Sequence, residues 1–266
     1  MKESYFVFRE PELFDELKSL LLLRFSVYMG SRLNQFATPY RSAGIELDCY
    51  DLRSRHFGLF KHDGGVSRPV GYLRVVTEEK SRWENELRAI AAPIPELARA
   101  VGLKPTVPLP LMTYYADADI VRRHYEVAKA NNHRPAEAGR LSLQNDIRSI
   151  AIARHMISST LASGIVNGHN AAFITVVPSH VAFYGAYGFR ICIGSRQRFC
   201  PKAQTEFSCL QWTFEQMDGA MQEVVLSMAE AYSHTGRICC YPSMPGQYYA
   251  PTRSHVPSKP RLTAAA

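Results

Sequence analysis

AAFITVVPSHVAFYGAYGFR, residues 171–190, sets a strand, a short helix and a chain reversal side by side. Ala171 to Val177 is a short apolar run of the kind that forms a central strand buried on both faces. Pro178 follows it, Ser179 stands where the N-cap of the helix HVAFYGAY belongs, and Gly188 supplies the stop before a strand predicted over 189–193.

Working outward, EAGRLSLQ (137–144) reads as a strand and 148–166 as a helix with small and apolar residues on one side. HFGLFKHDGGVSRPVGYLRVV reads as a hairpin, with strands at 56–61 and 70–76 and a turn at Asp63-Gly64-Gly65. Near the start, 4–8 suits a strand. Pro11 then opens a helical pattern to about Met29, which puts Arg24 and Tyr28 on one face. Strand 207–214 and helix 217–232 complete the set, and a proline-punctuated stretch from Ser81 to Arg134 carries short helices over 84–91 and 120–130. This order predicts an α/β fold with one mixed, mostly antiparallel central sheet flanked by helices. The domain is expected to span 1–235. Residues 236–266, rich in proline and basic residues and without an acid, read as a disordered or surface-docked tail.

With 266 residues and 46% apolar content, the chain is able to bury a large core. The N-terminus has no apolar signal core, and Arg24 interrupts the only leucine run, so a soluble, cytoplasmic protein is expected. Six cysteines without a CxxC pair or a histidine at zinc-ligand spacing predict no metal site, and no tightly bound cofactor is expected. A net charge of +7 suits an acidic partner, a membrane surface or nucleic acid, but the tail lacks the arginine–aromatic spacing of a nucleic-acid scaffold. No nucleic-acid partner is therefore expected.

FYGAYGFR (183–190) resembles the FYxxxGF segment of the GCN5-related N-acyltransferase fold. In that family the tyrosine matching Tyr184 often protonates the departing thiolate, while the plainer reading is an aromatic packing residue. Arg24 with Tyr28, Asp48-Cys49-Tyr50-Asp51, Arg74 in VGYLRVV, and Glu137 with Arg140 in EAGRLSL occur in the order seen in acyl-homoserine-lactone synthases and N-acyl amino acid synthases. The tryptophan that lactone synthases carry after the first helix is missing, with Asn34 and Phe36 in that neighbourhood, so the amino acid synthase branch matches better. Within it, GIELDCYDLRS resembles acyltransferases associated with exosortase and PEP-CTERM sorting systems. The resemblance implies transfer of a long acyl chain to the amino group of an amino acid. The alternatives are acyl-homoserine-lactone synthesis, CoA-dependent N-acetylation, or a non-catalytic module that binds acyl groups or a carrier protein.

The residues themselves carry a consistent chemistry. Asp48 and Asp51 are able to face Arg24 and Arg74 in a partly buried ion cluster that positions the loop. Glu137 is the candidate base for an ammonium that must lose a proton before attacking a thioester; the alternative is a structural pairing with Arg140 or Arg74. In a regular strand Glu137 and Arg140 face opposite ways, and a bulge at Gly139 would bring them together. The turn QNDIRS (144–149) lacks the glycines that cradle a pyrophosphate and carries Asp146. This favours the single phosphate of an acyl-phosphopantetheine on acyl carrier protein over acyl-CoA, with Arg148 and Arg154 as donor-binding residues or, alternatively, as a solvated helix face. A lipid product would allow transient membrane association.

Overall fold

The computed structural model describes residues 4–201 and 203–240. Its sheet is built from β1 (Tyr5–Arg9), β2 (Ser54–Asp63), β3 (Val66–Val76), β4 (Pro135–Leu143), β5 (Ala171–Val176), β6 (Arg190–Ile191), β7 (Arg198–Cys200), β8 (Thr205–Thr213) and β9 (Arg237–Cys240). The spatial order is β6-β8-β5-β4-β3-β2-β1-β9, with β7 also on β8. Every pairing is antiparallel except β4–β5. Helices α1 (Phe14–Met29), α2 (Glu84–Ala91), α3 (Pro95–Gly102), α4 (Ala118–Ala130), α5 (Ile150–Val166), α6 (Val181–Gly185) and α7 (Gly219–Thr235) connect and cover it. No helix among the described residues is long and apolar enough to cross a membrane.

Alternation along the strands divides the core by face. Phe57, Leu59, Leu73 and Val75 join Met156 and Leu161 of α5 and Met228 of α7 in one cluster. On the other face, Leu17, Leu20 and Leu21 of α1 pack with Phe60 and Tyr72. Each fully buried leucine contributes about 2 kcal/mol, which helps offset the cost of carrying Arg24 on the same helix to complete burial. A third cluster on that face collects Phe36, Leu111, Tyr125, Phe173 and Phe207.

Four sequence expectations are corrected. Ser179 caps nothing: Pro178–His180 form a 3-10 turn that runs into α6, and the N-cap residue is His180, without a side-chain cap bond. The strand expected over 189–193 is only Arg190–Ile191, because the chain turns away at Gly194. Helix α3 was not expected, although Pro95 and Glu96 open it with proline in the first turn. Part of the expected tail belongs to the sheet, since Arg237–Cys240 pairs with β1 after Gly236 ends α7 at φ 66°. The remainder, 241–266, lies outside the described residues. Gly188 does hold the predicted reversal: it sits at φ 85°, and a Cβ there would lie 2.8 Å from the Gln216 and Met217 backbone.

Candidate active site

The sheet opens at its parallel pairing, β4 with β5. β4 and β5 are bonded from Pro135↔Ala171 to Glu137↔Phe173 and then part, although both strands continue. On its other edge β4 carries a bulge, with the pairs Tyr72↔Ser142 and Arg74↔Gly139 leaving one extra residue on β4. Arg140 takes this up at φ 60°. The expected bulge therefore exists, but the arginine rather than Gly139 adopts the left-handed conformation. Such a conformation is costly for a non-glycine residue and persists only where the surroundings enforce it.

The wedge between the diverging strands encloses a cavity of about 250 Å³, floored by Ile157 and Leu161 of α5 and walled by Leu141, Ile174 and Phe189. An adjoining pocket of about 80 Å³ holds Glu137, Arg74 and Tyr114. Tyr28, Gly139, Arg140, Thr175 and Phe207 line both spaces and mark where they meet.

Beside the small pocket, the GIELDCYD loop closes on the sheet through charge. Arg24 donates from Nη1 to Asp51 Oδ1 at 2.9 Å and from Nη2 to Asp51 Oδ2 at 3.2 Å, and it also reaches the Glu46 carbonyl. Arg74 Nη1 lies 2.8 Å from Asp48 and 3.0 Å from Asp51. Arg140 Nη2 lies 2.6 Å from Glu46 Oε1. Three arginines thus meet three carboxylates, and Glu46 and Arg140 join the pairs expected from sequence. Burial alone would raise the Asp51 carboxyl, but the Arg24 and Arg74 charges outweigh it and hold it well below the usual range. Burial likewise opposes the charge on Arg74, which Asp48 and Asp51 more than restore. His56, pushed down to about 4 mainly by burial, is neutral. Its Nε2 lies 3.2 Å from the Asp51 carbonyl and its Nδ1 2.8 Å from the Tyr72 hydroxyl, which in turn accepts from Arg24. Only one tautomer serves both bonds: Nε2–H donates to the carbonyl and Nδ1 accepts from Tyr72.

Glu137 stands outside this network. Its Oε2 accepts the Leu111 N–H at 2.8 Å, and no ion pair to Arg74 or Arg140 forms. Burial pushes its carboxyl up to about 7, against the smaller opposing effects of the Leu111 bond and the two arginine charges. Tyr28 lies under Arg140, whose guanidinium sits 5.3 Å from its ring centre and 5.1 Å from that of Phe36. Tyr184 lines only the larger cavity, edge-on to Phe189, and burial pushes its phenol up to about 12. Arg148 and Arg154 are both exposed at the start of α5. Arg148 reaches the Leu143 carbonyl at 3.4 Å, and Ser149 caps the helix by accepting the Ile152 N–H.

The groups that sequence reading did not place come mainly from the irregular stretch between α3 and α4. Tyr50 and Arg53 hold it at the Val107 and Pro108 carbonyls, Glu137 holds it at Leu111, and Asp117 holds Arg196 N–H and Arg198 at its far end. It delivers Tyr114, whose hydroxyl lies 2.8 Å from Thr175 Oγ1. No periodicity marks such a segment; the clustered prolines were its only signal.

No family model and no curated protein matches this sequence. Among solved structures, FeeM, an N-acyl amino acid synthase from uncultured soil microbes, matches with a TM-score of 0.53 at 14% identity, over 82% of this chain and 96% of FeeM. The chain has the GCN5-related N-acyltransferase fold. BjaI, a CoA-dependent acyl-homoserine lactone synthase, matches at 16% identity and a TM-score of 0.48 over 82% of this chain and 83% of its own. The lactone synthase LasI matches at 10% identity and 0.44, over 85% and 95% respectively. At 14% identity, the match to FeeM establishes a common fold.

Proposed function

We propose that this protein is an acyltransferase that moves a long-chain acyl group from acyl carrier protein to the α-amino group of an amino acid. The observation that carries the reading is Glu137: a buried carboxyl raised to about 7, free of ion pairs, in a small polar pocket that adjoins an apolar wedge. The wedge suits an acyl-thioester arm, because the parted edges of β4 and β5 offer backbone groups to its amides and the lining offers apolar surface to its chain.

The acceptor arrives as an ammonium. Lifting the Glu137 carboxyl from 4.5 to about 7 narrows its gap to the ammonium by roughly 3 kcal/mol. With the first proton on Glu137, the amine attacks the thioester carbon, the C–N bond forms and the C–S bond breaks, and the second proton that the nitrogen sheds goes to the departing thiolate, leaving a neutral amide and a free thiol. Tyr184 is protonated at neutral pH, and its phenol lies above an ordinary thiol of about 8.5. Complete transfer to sulfur would run uphill, so its contribution is a hydrogen bond to the departing thiolate. The charge cluster fixes Arg140 and Arg74 around the acceptor pocket.

A carrier-borne donor is favoured because Asn145–Ile147 form a 3-10 turn without glycine, and Asp146 there pairs with Arg68 at 3.5 Å. A pyrophosphate would meet that carboxylate. The test is mass spectrometry of lipids from cells making the protein, followed by turnover of the purified protein with acyl carrier protein and the matched acyl-CoA. Acyl amino acids and a carrier preference support the proposal; acyl lactones, acetylated amines or no new product overturn it.

A further inference from the structure

The junction of the two cavities carries a hydroxyl pair, Thr175 with Tyr114. Thr175 lies on β5 two residues beyond Phe173, the last partner of β4, and it lines both the wedge and the small pocket. Tyr114 reaches it from the segment between α3 and α4, with 2.8 Å between the oxygens. The Tyr114 ring is set edge-on between Phe36 and Phe207, at centroid distances of 6.0 and 6.4 Å. Its phenol is pushed up by burial and then by the Glu137 charge, so it keeps its proton. Two hydroxyl hydrogens are present and the bond between them uses one. Whichever way that bond points, one hydrogen is left for a third group, and a hydroxyl that already accepts a hydrogen bond is the stronger donor.

Resting on the acyl-transfer reading above, the geometry points to the Thr175–Tyr114 pair as the donor to the thioester oxygen. As the amine adds, the C=O π electrons move onto oxygen, and the free hydroxyl hydrogen bonds that developing charge without leaving its own oxygen. When the C–S bond breaks, the pair of electrons returns to the carbonyl and the bond to the hydroxyl weakens. A thioester carbon within reach of an amine beside Glu137 must lie at the junction. There Thr175 and Tyr28 are the side-chain hydroxyls common to both cavities, and Tyr28 is the one covered by the Arg140 guanidinium.

The test uses the purified full chain with dodecanoyl-acyl carrier protein and a mixture of the common amino acids. Thr175→Val keeps the shape of the side chain and removes the hydroxyl, so kcat should fall about a hundredfold with little change in KM for the donor. Thr175→Ser should restore most of the rate. Tyr114→Phe should cost about tenfold, and adding it to Thr175→Val should cost nothing further, because the pair acts as a unit. A Thr175→Val enzyme at full rate overturns the proposal, as do a loss confined to KM, a serine variant as slow as the valine one, or fully multiplicative losses. Wild-type protein that forms no acyl amino acid overturns the functional reading and this proposal with it.

Discussion

The charge cluster, held on β3 and β4, and the wedge, between β4 and β5, are neighbours, yet they treat polar groups in opposite ways. In the cluster, Arg24, Arg74 and Arg140 are matched by Glu46, Asp48 and Asp51 at 2.6–3.4 Å. Around the wedge and its side pocket, Glu137, Thr175 and Tyr184 form no ion pair, and each keeps hydrogen-bonding capacity beyond the bonds it makes. Opposite charges paired in this way hold a shape, even with Arg24 Nε, Arg74 Nε, Arg140 Nε and Glu46 Oε2 left without a hydrogen bond. Polar groups held neutral or half-satisfied in an apolar wall are the ones able to respond to a substrate. Substitutions in the first region should therefore lower stability and activity together, whereas those in the second should separate the two.

The largest effect is expected at Asp51. It is fully buried and joins Arg24 to Arg74, so Asp51→Ala leaves two guanidinium groups short of a partner. A loss of about 3–5 kcal/mol in urea unfolding is expected, with activity lost in parallel. Asp48 keeps a quarter of its side chain in water, and Asp48→Ala should cost visibly less. Equal and small losses at both sites would make the cluster a solvated surface feature and remove the contrast.

Glu137→Gln should do the reverse. It keeps the shape and removes the base, so the rate should drop about a hundredfold, with partial rescue as rising pH deprotonates the amine in solution. In the wild type, kcat/KM should rise with pH through a midpoint near 7, and the variant should lose that limb. Stability gives an independent reading. A carboxyl raised from 4.5 to about 7 contributes its full stability below pH 4.5 and loses it as pH climbs through 7. The variant should therefore gain on the wild type across that window, by roughly 3 kcal/mol in denaturant titrations at pH 8. A slower enzyme that becomes the more stable one above neutrality is the signature of a strained catalytic carboxylate. An unchanged pH profile would leave Glu137 as no more than a tether for Leu111.

Legibility in the sequence followed the same division. Arg24, Arg74 and the aspartates sit in or beside regular elements, where period and spacing place a residue on a face, and so those pairs were readable, whereas Glu46 and Arg140 joined them only in the structure. Gly139 misled, because a glycine suggests where a bulge is easy. The structure puts the positive φ on Arg140, whose guanidinium is held by Glu46 and stacked on Tyr28 and Phe36. Long-range contact chose the residue there, and local propensity did not. Tyr114 was invisible for the converse reason: its segment is held by bonds to Tyr50, Arg53, Glu137 and Arg198, partners far away in sequence, and no local pattern encodes them. The four-residue strand β9 was lost among prolines and basic residues, since its pairing with β1 depends on where α7 ends.

Tyr184→Phe tests the wedge more gently. The phenol offers a hydrogen bond to a leaving group that departs well unaided, so a loss of about tenfold is expected, without rescue at high pH and without a change in the melt. Rescue resembling that of Glu137→Gln would mean that the two residues share one proton path. No loss at all would return Tyr184 to the aromatic packing it already makes with Phe183 and Phe189.

The smallest effect should come from arginines of a third kind. Arg148 and Arg154 are exposed at the start of α5, whereas Arg24 and Arg74 are enclosed by carboxylates. A guanidinium in water acts at a distance and through a screened field. If an acidic carrier docks there, Arg148→Ala with Arg154→Ala should raise KM for the carrier-borne donor about threefold to tenfold at low salt. The deficit should vanish near 1 M salt, where the screening length is about 3 Å. The rate with acyl-CoA and the unfolding midpoint should stay put, because neither residue fills the core. Asp48→Ala gives the internal control: its contacts are short and partly enclosed, so its loss should persist at the salt concentration that erases the surface effect. A carrier deficit that persists in high salt would place Arg148 and Arg154 in direct contact with the thioester arm. An equal deficit with acyl-CoA would point to a phosphate common to both donors.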